Sequence, residues 1–146
     1  MTQPDPSAPR VPDSQESCLA EGGELGRLVR AVDWSKTPLG PVAGWPTSLK
    51  TMVGVVLRNR FPMLLWWGPE LIQIYNDGYR PILGEKHPTS LGAPALQVWS
   101  EIWDVIGPMA RSVLDGGQGT WNESLLLLIN RRGSPEETYH TFSYSP

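Results

Sequence analysis

Fifteen prolines and fifteen glycines punctuate this 146-residue chain, and their spacing keeps its regular elements short. Proline removes a backbone donor and fixes φ, while glycine is favoured where the backbone must turn. Pro38-Leu39-Gly40-Pro41, Gly68-Pro69, Gly107-Pro108 and Gly116-Gly117 therefore act as boundaries. Between such boundaries, order is expected to begin near Glu21. Leu25, Leu28, Val29 and Val32 fall at i, i+3, i+4 and i+7, which places four apolar side chains on one helical face. Leu49, Met52, Val53 and Val56 repeat that spacing and predict a second helix opened by Trp45-Pro46. It should stop near Arg60, because Phe61 precedes Pro62 and is biased to extended geometry.

Beyond Phe61 the pattern changes to strand. Pro62 to Trp67 is an apolar run closed by Gly68-Pro69, and Leu71 to Tyr75 is closed by Asn76-Asp77-Gly78; together they predict a hairpin. Pro81, Gly84, Pro88, Gly92 and Pro94 break the stretch from Tyr79 to Val98 into short helical turns. Ser100 is placed to cap a helix with Ile102, Val105, Ile106, Met109 and Val113 in one stripe, kinked or divided at Gly107-Pro108 and stopped by Gly116-Gly117. Thr120 to Asn130 and Glu137 to Tyr144 predict a second strand pair around an Arg131-to-Pro135 turn, with His140, Phe142 and Tyr144 on one face. Leu125 to Ile129 does not alternate, so both faces of that strand are expected to be covered, one by the rest of the chain and one by an apposed subunit. Strands segregated from helices predict an α+β fold with an antiparallel sheet.

Composition narrows the function classes. A formal charge of −3 gives no electrostatic reason to bind nucleic acid or an anionic membrane. Arg131 and Arg132 are the one basic pair beside a turn glycine and read as a solvated hairpin tip. Cys18 alone excludes an internal disulfide framework and a cysteine-rich metal site. No segment approaches the ~18 apolar residues of a membrane span, and the first twenty residues lack the pattern of a secretory leader, so a cytoplasmic location is expected. Residues 1–20 hold four prolines and little apolar surface, which predicts a flexible tail.

Asp33-Trp34-Ser35, Thr37-Pro38-Leu39-Gly40-Pro41 and Trp45-Pro46 with Ser48-Leu49 resemble the prelude to the first PAS domain of many bacterial sensor histidine kinases. Phe61-Pro62-Met63, Trp66-Trp67-Gly68-Pro69-Glu70-Leu71 and Tyr75-Asn76-Asp77 with Tyr79-Arg80 resemble that domain's first strand pair and the start of its first short helix. Leu91-Gly92 and Trp99 to Met109 are similar to its helical middle, and Glu136 to Tyr139 with Phe142 to Pro146 to its penultimate strand. The resemblance implies a PAS-like antiparallel sheet with helices on one face. Residues 21–60 would form an N-terminal helical extension and 61–146 the PAS core. It also implies that the family's final strand, central in its sheet, is missing, leaving unpaired backbone unless a partner chain supplies it.

The function so implied is a sensory module of a two-component protein. It binds a small ligand, or transmits a dimer rearrangement, to a downstream histidine kinase. A homodimer and a kinase region or partner chain are its expected partners, with no nucleic acid and no membrane insertion. The alternative is a dimerisation or interaction module without a ligand. Trp66, Tyr75, Trp99, Trp103 and Phe142 are the expected ligand-binding residues, since aromatic side chains supply contact area and a polar handle.

No catalytic or metal site is expected. His87 and His140 read as structural, Glu101 and Asp104 as an exposed helix face, and Asp77 as the cap of the helix that follows it. The resemblance implies that haem would be ligated from the long helix, Ile102 to Leu114, which has no histidine, and that covalent flavin would need a cysteine on the early helical segment, which has none. Neither is expected, and the cofactor stays open, with noncovalent flavin and other small organic ligands as the options.

Overall fold

The computed structural model describes Leu19 and residues 22–146; apart from Leu19, the expected tail over residues 1–20 lies outside them. The described chain is α+β, with five helices and two separate antiparallel strand pairs. Helix α1 spans Gly23–Ala31, and Val32 leaves it in extended geometry. Its inner face carries Leu25 and Val29, both fully buried, each contributing about 1.5–3 kcal/mol of transfer free energy. The proline-bounded connector makes two tight turns, Trp34–Lys36 and Val42–Gly44. Trp34 and Trp45 meet edge-on there, with ring centroids 5.1 Å apart. Each buried indole N–H has a carbonyl acceptor: Val29 O for Trp34 at 2.7 Å and Gly40 O for Trp45 at 2.9 Å. Both tryptophans are thus core and anchor.

Helix α2 (Thr47–Arg58) starts one residue after Pro46 and buries Leu49, Val53, Val56 and Leu57. Met52, expected on that face, is 38% exposed, because the inward stripe drifts to Leu57 over three turns. Strands β1 (Leu64–Trp67) and β2 (Ile72–Tyr75) form a hairpin in which Trp66 lies opposite Gln73 and Leu64 opposite Tyr75. The turn is made by Gly68 and Leu71, both at positive φ. The far edge of β2 is also used: Gln73 N–H donates to Ala93 O, and Gly92 and Ala95 N–H donate to Gln73 and Leu71 O. With a neighbour on each edge, β2 is buried along its whole length.

The expected winding connection contains α3 (Arg80–Leu83), a turn over Gly84–Lys86 and α4 (Ala95–Val98). Helix α5 covers Trp103–Gly116; it departs from expectation at its start and is not divided at Gly107-Pro108. Ser100 provides no side-chain cap; it opens a tight turn, Ser100–Ile102, that feeds the helix. The helix also runs undivided through Pro108, which falls in its second turn and so forfeits only an early bond of the ladder. Gly117 ends it in the left-handed conformation, its N–H donating to Val113 O at 2.8 Å.

Strands β3 (Asn122–Asn130) and β4 (Pro135–Phe142) form the second hairpin. Within the chain, β3 covers one face and leaves the other, expected to meet an apposed subunit, exposed. Leu127 and Ile129 are buried, while Leu126 is 44% and Leu128 51% exposed. All four residues are apolar, so composition conceals a burial pattern that the pleat imposes. Arg131 is likewise more than a solvated tip. Its carbonyl accepts from Glu85 N–H at 2.7 Å, and its Nε donates to Glu136 at 2.9 Å. Gly84 permits this approach, since a Cβ there would stand 2.5 Å from Arg131 O.

One continuous core joins these parts: Leu25, Val29, Leu49 and Val53 from the first helices, Ile72 and Ile74 from β2, Trp99 and Ile106, and Leu127 and Ile129 from β3. None of the described helices is long and apolar enough to cross a membrane.

Candidate ligand-binding site

Strand alternation places Trp66, Gln73 and Tyr75 on one face of the first hairpin, together with Leu64. Gln73 organises that face. Its side chain is fully buried, and its Oε1 accepts from Trp99 Nε1 at 2.8 Å and from Trp66 Nε1 at 3.2 Å. Trp103, at the start of α5, lies 6.1 Å from the Trp66 ring, and Tyr144 lies 5.2 Å from it on another side. Phe142 reaches the group through Tyr144, at 5.2 Å. Four of the five expected residues, Trp66, Trp99, Trp103 and Phe142, thus belong to one aromatic assembly joined by Gln73 and Tyr144.

Tyr75 belongs to an adjoining polar chain. Its Oη lies 2.8 Å from His87 Nδ1 and accepts from Ser90 Oγ at 3.3 Å. The other imidazole nitrogen, Nε2, faces Glu24 Oε1 at 3.9 Å. Glu24 also pairs with Arg80. Burial, reinforced by the Arg80 charge, holds the His87 imidazole below its ordinary pKa, and burial pushes the Tyr75 phenol up. Tyr79 links this chain to the aromatic assembly, with its ring 6.3 Å from Tyr75 and 6.4 Å edge-on to Trp99.

Gln73 escaped the sequence reading, although a signal was present: a lone amide between Ile72 and Ile74, on the same strand face as Tyr75. The amide is only half satisfied, because its Nε2 is buried without an acceptor in the protein. Such a donor costs about 1–3 kcal/mol of desolvation. Asn76 shows the contrast one turn away. Its Nδ2 donates to Val56 O, Asn59 O and Phe61 O at 3.1, 2.9 and 2.7 Å, and its Oδ1 accepts from Met63 and Tyr79 N–H at 3.1 Å each. That side chain ties the end of α2 to the first hairpin and has nothing left for a ligand.

The polar residues elsewhere take structural positions. Asp77 does not cap the following helix. Its carboxylate instead accepts from Glu24 and Leu25 N–H at 3.2 and 2.9 Å, so it caps α1 from 52 residues away in sequence. Glu101 is not merely an exposed helix side chain: it pairs with Lys86 at 2.8 Å and accepts from Asn130 N–H at 3.1 Å. His140 contacts Thr138 Oγ1 at 2.9 Å. Among the described residues no cluster of three or more His, Cys, Asp and Glu is placed to hold a metal ion.

The surface of the described residues includes two cavities near Asp77 and Trp103. One, of ≈ 550 Å³, lies where Gly22, Leu57, Arg60 and Gly78 meet around Asp77. The other, of ≈ 420 Å³, lies between Leu71, Pro94 and Leu96 and the α5 residues Trp103, Gly107 and Leu114. Trp103 thus forms both a wall of the second cavity and a neighbour of Trp66. Gly107 lets its ring lie against the helix, since a Cβ there would stand 2.8 Å from the indole. No family model, curated protein or solved structure matches this chain.

Proposed function

We propose that this chain is a PAS-type sensory input module of a bacterial two-component protein, which binds a small molecule and biases a downstream histidine kinase. The observation that carries this reading is the convergence of two indole donors on the buried Gln73 amide, inside an assembly of Trp66, Trp99, Trp103 and Tyr144. A core needing only apolar packing has no use for a buried amide with a spare donor, whereas a ligand site uses such a group to fix orientation. Signalling then proceeds by population shift: the ligand binds better to one packing of the first hairpin against α5 than to another. The chain itself performs no catalysis in this reading, and the kinase belongs to a separate region or partner.

The same reading includes a further strand pairing β1 and β4, contributed by a longer polypeptide or a partner chain. It is supported by the pairing within the described residues, where β1 bonds only to β2 and β4 only to β3. Purified protein is expected to carry a small molecule, detected by absorbance or by mass spectrometry of a denatured extract. Trp99→Ala and Trp103→Ala are expected to abolish that cargo and to alter signalling of the parent kinase. An empty protein whose parent kinase ignores both substitutions would remove the ligand reading.

A second reading, a dimerisation module without a ligand, is favoured by the outer face of the second hairpin, where Leu126, Leu128 and Tyr139 are exposed together. Light scattering distinguishes it: a dimer in the absence of any bound molecule supports it, and a monomer at high concentration removes it.

A further inference from the structure

The Gln73 amide can face only one way. Both groups on its oxygen, Trp66 Nε1 and Trp99 Nε1, are indole N–H donors with no acceptor capacity. Turning the amide over would set its NH₂ against two N–H groups, so Oε1 is pinned toward the indoles and Nε2 away from them. In that orientation Nε2 is buried and has no acceptor in the protein. We infer that Gln73 Nε2 is the recognition donor of this site, and that its ligand is a small, neutral, flat molecule presenting a carbonyl-type oxygen. The inference rests on the ligand-binding reading above.

Neutrality follows from the charges nearby. Beside the assembly stand the cations Lys86, whose Nζ is 5.8 Å from the Trp99 ring centroid, and Arg111, which lines the ≈ 420 Å³ cavity with Trp103 and is exposed to solvent. Lys86 is already committed to Glu101 at 2.8 Å and to Val98 O at 2.9 Å. Arg111 is solvent-exposed rather than buried beside the amide, so a carboxylate placed against Gln73 would be desolvated without a buried, uncommitted counter-charge, whereas a ketone, amide or ester oxygen needs only the donor. Flatness follows from the indole walls. Small size follows from the packing, because Gln73 is fully buried. A ligand meets the assembly from the side of Trp103 and Tyr144, its half-buried rings, with Trp103 also walling the ≈ 420 Å³ cavity; Trp99, 2% exposed, lies inside with the amide it orients.

The test uses two probes of the same shape, acetophenone and α-methylstyrene, in which a carbonyl oxygen is replaced by a CH₂ group. Both are titrated into the full 146-residue chain and followed by ¹H–¹⁵N spectra. Gln73→Met is expected to weaken acetophenone about five- to ten-fold while leaving α-methylstyrene within about two-fold, the loss of one hydrogen bond. Because that substitution strips two indoles of their acceptor and can unfold the chain, the wild type supplies a second measurement. Its Gln73 side-chain NH₂ resonances should move downfield with acetophenone and stay in place with α-methylstyrene. If both probes bind, the amide resonances stay still and Gln73→Met changes both affinities alike, the recognition role of Gln73 is wrong and the ligand site stands. A water held tightly on Nε2 would give that same result. If the wild type binds neither probe at millimolar concentration, the ligand reading falls and this inference with it.

Discussion

The two hairpins solve the same problem in opposite ways. The β1–β2 hairpin has four-residue strands, yet β2 is buried on both faces and bonded on both edges. The β3–β4 hairpin is twice as long, nine and eight residues, but covers one face only and leaves Leu126, Leu128 and Tyr139 exposed on the other. Short strands cannot be held by their own ladder, so the first hairpin depends on side-chain hydrogen bonds from Gln73 and Asn76. The second depends on its longer ladder; its side-chain bonds, such as Ser124 N–H to Thr141 Oγ1 at 3.1 Å and Arg131 Nε to Glu136 at 2.9 Å, lie at exposed or part-buried positions, and Thr138 Oγ1 to Leu127 O at 2.8 Å is the buried one. Buried polar groups therefore concentrate where backbone pairing is shortest, and that is where the candidate site is found.

The most severe way to break this contrast is Asn76→Ala. It deletes a side chain that serves three carbonyls and two N–H groups, all near the junction of α2 with β1. A loss of about 3 kcal/mol is expected, from several modest hydrogen bonds plus newly orphaned backbone groups. Urea denaturation measures it. A loss below about 1 kcal/mol would show that the first hairpin is held by apolar packing alone.

A smaller effect should appear with pH, and each hairpin contains one reporter. Burial holds the imidazoles of His87, beside β2, and His140, on β4, below their ordinary value of 6.5; Arg80 adds to this at His87 and Arg131 at His140. Below pH 6.5 the unfolded chain takes up protons that the folded chain refuses, so stability should fall as pH drops from 7 toward the lowered folded-state values. His87→Gln can retain an acceptor for Tyr75 and should flatten its share of the slope, as should His140→Gln. Thermal melts of both variants between pH 5 and 7.5 test the assignment. A wild-type stability that is level across this range would contradict it.

What was legible in the sequence follows the same division. Periodicity located α1 and α2, because each buries one repeating face, and apolar runs closed by turn residues located both strand pairs. Gly116-Gly117 marked the end of α5 for an equally local reason, the left-handed backbone at Gly117. The misreadings concern partners distant in sequence. Asp77 faces two helical ends, and only the tertiary fold brings α1 rather than α3 to it. Ser100 precedes a periodic run, but the chain enters α5 through a tight turn that bypasses its hydroxyl. The candidate site divides likewise. Its tryptophans were visible as unusual composition, whereas the Gln73 amide that unites two of them became visible only when β2 and Trp99 were brought together.

The finest test concerns the exposed face of the second hairpin, where the expected change is smallest. Leu128 is half exposed and lies opposite Glu137, so Leu128→Thr removes little buried surface and places a β-branched residue in a strand. In an isolated chain it should alter stability by no more than about 0.5 kcal/mol. If a second copy covers that face, wild-type Tm rises with protein concentration, and Leu128→Thr should lower Tm at high concentration while leaving it unchanged on dilution. A concentration-independent Tm for both proteins would leave the outer leucines as ordinary exposed surface. The difference between the hairpins would then lie in one chain's own packing, with a polar-braced, doubly covered pair beside a one-sided ladder.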